Sequence, residues 1–245
     1  MLDLPTTLAD RLAPLSTADL AALIALILAW GAIGWRIERP GRHPSVSVLM
    51  TRYRHAWMAE LLDRDQRIFD AAILQNLRDG TAFFASTCLI AIGGVLALMG
   101  NPAPLVEVAV LLPGQTGEAL LWQIKLVPTL VLLTSGFLRF VWANRLFGYF
   151  SVLIGAIPND RRAPAAEHRA AQAARLNVRA ALNFNRGLRA LYFALASLAW
   201  LLGPLALAAA TAATLAMLWS REFRSTSRDV LIADPPSAPD PVTKG

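Results

Sequence analysis

Long apolar runs alternate with basic segments along this chain, and the alternation predicts its organisation. Four runs, Ala18–Trp35, Thr81–Gly100, Leu126–Asn144 and Ala190–Trp219, match the membrane pattern. Each has roughly the 20 apolar residues that cover a hydrocarbon core about 30 Å thick. The joining segments Arg36–Asp79 and Arg145–Arg189 hold eight Arg each, whereas Asn101–Glu118 has no Lys or Arg and carries Glu107 and Glu118. Basic loops stay in the cytoplasm. The pattern therefore predicts a short external N-terminus (1–17) and a membrane domain over 18–219, with spans at about 18–35, 81–100, 126–144 and 190–219. The 101–118 connector and both termini are expected on the periplasmic side. Arg221, Arg224 and Arg228, which follow the last run, cut against that arrangement. A re-entrant hairpin at Pro204 is the alternative, and it returns the tail to the inner side.

The basic segments themselves read as helices. Met50, Tyr53, Trp57, Leu61 and Ile68 recur at helical spacing, which predicts an amphipathic helix over 49–79. Glu60–Arg64 and Asp63–Arg67 stand as i,i+4 pairs with the acid first, the favourable order. A second cytoplasmic helical segment is expected over 164–189, with Pro164 suited to a first helical position. Residues 220–245 read as a polar tail, largely disordered, because Ile232–Gly245 is rich in Pro and poor in large apolar side chains.

Composition narrows the class. The chain is 56% hydrophobic and 16% charged, with mean hydropathy +0.47, too apolar for a soluble domain of 245 residues. The expected fold is all-α, an integral membrane helical bundle of four transmembrane helices with amphipathic cytoplasmic helices. The bases flank the apolar runs, so they read as retained loops and not as a nucleic-acid surface. Arg outnumbers Lys 21 to 2 and Ala is abundant, a composition typical of a GC-rich bacterium. A bacterial inner membrane is the expected location. Cys88 is the only cysteine, which excludes a disulfide framework. His43, His55 and His168 fall outside the runs, so paired-histidine haem ligation within the membrane is excluded. With no phosphate loop, nucleophile elbow or zinc motif, no catalytic, cofactor or metal site is expected.

The chemistry-bearing residues gather near one end of the third run. Arg139, Trp142 and Arg145 lie at i, i+3 and i+6, with Asn144 at the boundary. Arg139 then lies about 9 Å inside the membrane at 1.5 Å per residue. It either snorkels to the headgroups or faces the bundle, where Asp70 or Asp79 or an anionic headgroup would meet it. Lys125 reads as a snorkelling end residue. Gly93 and Ala97 form a small-xxx-small face suited to close helix packing.

Several motifs extend this reading. Trp57-Met58, Asp65–Asp70 (DQRIFD), Phe83–Thr87 (FFAST), Phe140–Arg145 (FVWANR), Ser151–Ala156 (SVLIGA) and Phe184–Arg189 (FNRGLR) follow in order. With these, the chain from about residue 18 to 220 resembles the domain-of-unknown-function 599 proteins. The resemblance implies a multi-span membrane protein and no particular activity. The topology gathers three of these motifs near the inner interface. There Asn76, Arg78, Arg139, Trp142, Asn144, Arg145, Asn185 and Arg186 are expected to form a polar, anion-binding collar. Such residues suit hydrogen bonding to anionic headgroups and suit acid–base catalysis poorly. The leading expectation is a non-enzymatic accessory, assembly or scaffold protein. The alternative is a homo-oligomeric small transporter, channel or lipid-handling protein. An enzyme acting on lipids would have to use Asp63, Asp65 and Asp70, whose Arg neighbours suit ion pairing better than Mg²⁺. Expected partners are the lipid bilayer, its anionic headgroups and another membrane protein or a second copy of the chain.

Overall fold

Ser16 opens the first helix with a reciprocal cap. Its hydroxyl accepts from the Asp19 N–H at 3.1 Å, while the Asp19 carboxylate accepts from the Ser16 N–H at 3.1 Å. The computed structural model describes residues 15–104, 107 and 119–233. All the regular elements among these are helical: α1 (Thr17–Glu38), α2 (Val46–Glu60), a 3₁₀ turn (Leu61–Asp63), α3 (Ile68–Gly100), α4 (Ala119–Ala156), α5 (Ala166–Leu198), a second 3₁₀ turn (Ala199–Leu202), α6 (Pro204–Phe223) and α7 (Thr226–Ile232). Of these, α1, α3 and α4 are long and apolar enough to cross a membrane.

The frame is built from α3, α4 and α5, packed side by side and antiparallel. Gln123 Nε2 donates to the Met99 carbonyl at 2.8 Å near one end of the α3–α4 pair. Phe84 stacks on Phe140 at 5.5 Å further along. Arg169 of α5 donates to the Ala156 carbonyl at the last turn of α4. At 1.5 Å per residue these helices are about 50–57 Å long, well beyond a hydrocarbon core. They accordingly carry two cores. One includes Leu26, Ile33, Leu126, Leu132, Phe193 and Trp200. The other includes Met58, Leu61, Phe147, Phe150, Ala173 and Ala174.

The Ala190–Trp219 run is not one helix. It breaks at Trp200–Pro204, where Gly203 takes φ 119°, a conformation side chains disfavour. Pro204 then starts α6 with no N–H to offer and drives the preceding residue out of the α region. The chain reverses there and α6 returns alongside α1. At one end Trp200 Nε1 donates to Asp19 at 2.7 Å; at the other, Arg36 lies over the Phe223 ring at 4.5 Å. The expected fourth span is therefore divided into a helical hairpin.

That hairpin also corrects the expected placement of the ends. Glu222 accepts from the Ser47 N–H and hydroxyl at 3.0 and 2.9 Å, and Arg228 Nε donates to the Pro44 carbonyl at 3.1 Å. Ser16 and Ile232 thus lie at opposite ends of the bundle, not at the same one. Residues 220–233, expected in the disordered tail, form the end of α6 and all of α7. The expectations for residues 1–14 and 234–245, and for most of the 101–118 connector, concern residues outside the described ones.

The 49–79 segment also departs from a single helix. Arg64 is extended, at φ −92° and ψ 125°, and the expected i,i+4 pairs do not form. Longer-range partners win. Arg64 pairs with the fully buried Asp70, which also accepts from Trp57 Nε1 at 2.6 Å, and Asp63 pairs with Arg161. Arg67 donates to the carbonyls of Ile154, Ile157 and Pro158 at 3.2, 2.7 and 2.9 Å. It thereby caps the chain as it leaves α4, where the Ile154 carbonyl also accepts from the Ile157 N–H at 3.3 Å. The helix α2 docks on α5. Arg54 donates to Asn177 Oδ1 at 2.6 Å, and burial lowers its guanidinium pKa. The second cytoplasmic segment is helical from Ala166, so Pro164 precedes the helix and does not take its first position, and the helix continues without a break through Leu198.

Candidate anion-binding site

Glu38 closes the last turn of α1 and gathers two cations from α5. Arg186 grips it with two donors, Nε to Oε1 at 2.8 Å and Nη2 to Oε2, while Arg189 Nη2 reaches Oε1. The spacing i, i+3 puts both guanidinium groups on the α1-facing side of α5. The Arg189 side chain is only 6% exposed. A buried charge of that kind is tolerable only when paired and hydrogen-bonded.

Arg139 of α4 completes the site. A cavity of about 230 Å³ lies among Trp30, Trp35 and Glu38 of α1, Arg139 of α4, and Arg186 and Arg189 of α5. Gly31 and Gly34 leave the backbone of α1 bare along its wall. Arg139 makes no hydrogen bond or ion pair among the described residues. Three guanidinium groups face one carboxylate, so the cleft carries a net charge of +2. Its chemistry is that of an anion receptor: fixed, planar donors suited to phosphate or carboxylate oxygens.

The FNRGLR motif positions these groups. Phe184 packs edge-on against Phe84 and Phe140, with centroids 5.7 and 5.5 Å away. Gly187 lets α5 approach α4, since a Cβ there would lie 2.7 Å from the Phe140 ring. Asn185 donates to the Ser47 hydroxyl at 3.3 Å, next to Glu222. The two Arg residues of the motif hold Glu38.

Among the residues expected in the collar, Arg139 and Arg186 meet in the cleft and Asn185 lies at the neighbouring Ser47–Glu222 contact. Asn76 and Arg78 are exposed on α3, Trp142 is exposed on α4, and Arg145 turns to the Tyr149 hydroxyl at 2.6 Å. Asn144 has a buried Oδ1 with no hydrogen-bond partner. Sequence reasoning missed Glu38 and Arg189. The available signal was a single acid between Arg36 and Arg39 at the end of an apolar run. Nor does Arg139 meet Asp70, which Arg64 and Trp57 occupy. Lys125 is 2% exposed and lies over the Trp122 ring at 5.3 Å, so it is buried and does not snorkel. Gly93 and Ala97 are exposed; the close helix contact is made instead at Gly136 and Gly187.

These features define an all-helical bundle with three helices able to cross a membrane and a net-positive cleft beside one of them. The chain belongs to the family described as protein of unknown function, DUF599, whose model matches residues 21–227. No curated protein and no solved structure matches the chain.

Proposed function

We propose that this chain is an integral protein of a bacterial inner membrane that binds an anionic, phosphate-type group in the Arg139–Arg186–Arg189 cleft. The Glu38 end of the bundle faces the cytoplasm in this reading. Arg36, Arg39 and Arg42 lie at that end, and the α5–α6 hairpin brings Arg221, Arg224 and Arg228 to it as well, in keeping with the positive-inside rule. The observation that carries the binding role is Arg139: a cation at the margin of an apolar layer, unpaired, in a cleft that already has an excess of positive charge. The role is binding and not catalysis, because Glu38, the acid of the cleft, is held by two guanidinium groups and is no free base.

Thermal unfolding in an uncharged detergent tests this with inorganic phosphate as the probe. Phosphate near 100 times its Kd adds about 2.7 kcal/mol of stability, or roughly 5–10 °C in Tm for a chain of this size. The wild type is expected to show such a rise, and Arg139→Gln to lose most of it while remaining folded. Equal shifts in the two proteins, or none in either, contradict the proposal. A second reading, an accessory subunit, is favoured by Ile68 and Phe69, which are 75% and 66% exposed. They lie about 22 Å along α3 from Phe84 and beyond the apolar layer. Loss of a stoichiometric partner from native membranes in Phe69→Ser would support it, and an unchanged complex would remove it.

A further inference from the structure

The basic cleft opens into an apolar groove on the same side of the bundle. α1 packs on α6 and α5 but scarcely meets α4. Between α1 and α4 is left a wholly apolar groove of about 380 Å³. Leu23, Ile27 and Trp30 form one wall, and Val127, Pro128 and Val131 form the other. Trp30 lines both the groove and the basic cleft, so the two share a wall and follow one another along α1. From Leu23 to Glu38 the track covers about 22 Å at 1.5 Å per residue. One leaflet with its headgroups measures about 20–22 Å. The track is thus apolar where a leaflet is apolar and cationic where its phosphates lie.

Resting on the anion-binding reading above, we propose that this track holds one anionic diacyl phospholipid. Its phosphate is bound by Arg139 and Arg186, and one acyl chain occupies the groove between α1 and α4. A free phosphate uses the cleft alone; a phospholipid needs the groove as well. Lipid tails are as apolar as the groove walls, so burying a chain there gives little selectivity. Discrimination between lipids therefore falls to the +2 cleft. It favours a headgroup of net negative charge over a zwitterionic one by about tenfold or more, from two unneutralised guanidinium groups.

Native mass spectrometry of the full chain, offered equal phosphatidylglycerol and phosphatidylcholine with identical acyl chains, tests this. The wild type is expected to retain one phosphatidylglycerol with that preference, and Arg139→Gln to lose the preference. Val131→Trp, which fills the groove from an exposed position, is expected to lose retained lipid of either kind while keeping the Tm rise with inorganic phosphate. Ile90→Trp, at the exposed face of α3, serves as the control and is expected to behave as wild type. Should Val131→Trp retain lipid like the control while phosphate still stabilises it, the groove has no acyl chain and this proposal fails although anion binding stands. If phosphate and lipid both leave the wild type unchanged, both readings fail. A dimer mass that Val131→Trp abolishes would assign the groove to a second copy and overturn the lipid.

Discussion

Glu38→Gln is expected to destabilise the protein by about 3–5 kcal/mol, because it leaves the buried Arg189 guanidinium without its carboxylate. The carboxylate is the acceptor for both Arg186 and Arg189, and Arg189 has almost no access to solvent. Gln keeps the shape but offers one neutral oxygen, which leaves two cations facing each other and Arg139. For a chain of this length the loss corresponds to a fall in Tm of roughly 6–20 °C. The same change raises the net charge of the cleft from +2 to +3. Inorganic phosphate is therefore expected to restore more stability in Glu38→Gln than it adds to the wild type. Adding Arg189→Met, which removes the orphaned cation, is expected to recover part of the loss. A Tm within a degree of wild type would show that the triad is solvated and contributes nothing.

Gly187→Ala is the second large effect. The new Cβ would lie 2.7–2.9 Å from three ring atoms of Phe140. That ring cannot give way, because it is fully buried, stacked on Phe84 and edge-on to Phe184. Overpacking of this kind costs about 1–3 kcal/mol. The better helix propensity of Ala returns at most about 1 kcal/mol. The steric term wins. Relief by a shift of α5 would move Arg186 and Arg189 away from Glu38, so stabilisation by phosphate is expected to fall along with Tm. Phe140→Leu in the Gly187→Ala background is expected to recover both, and Gly187→Leu alone to give no monodisperse protein in detergent. A Gly187→Ala protein as stable as wild type would mean that α4 and α5 are not held at this spacing.

Much of the fold was legible because hydrophobic burial and membrane insertion both act through composition. The first three apolar runs coincide with α1, α3 and α4. α3 and α4 run on well past theirs, since a helix continues beyond the apolar layer wherever a second core covers it. The fourth run misled because average hydropathy ignores backbone geometry. The Gly203-Pro204 step reverses the chain without changing the apolar character around it. The charges of Arg221, Arg224 and Arg228 had pointed the other way. Local pairing rules failed at Arg64 and Arg67 for a related reason. An exposed i,i+4 pair contributes only about 0.2–0.5 kcal/mol. Arg67 instead meets three backbone carbonyls at the end of α4. Within the site, Arg139 stood out because a cation inside an apolar run is rare, and Arg186 because it belongs to the FNRGLR motif at the edge of one. Glu38 did not, because its partner Arg186 is 148 residues away and its neighbours Arg36 and Arg39 made it look like part of a loop.

The placement of the cleft at the cytoplasmic interface is tested most directly by sidedness. In a Cys88→Ser background, single cysteines at Arg42, Leu202 and Ser227, all exposed, would be offered an impermeant maleimide in spheroplasts. Labelling is expected at Leu202, and at Arg42 and Ser227 only after the membrane is opened. Labelling of Ser227→Cys in intact spheroplasts, with Arg42→Cys protected, would contradict the hairpin. Labelling of Arg42→Cys would put Glu38, Arg139 and Arg186 on the wrong side of the membrane for the proposed site.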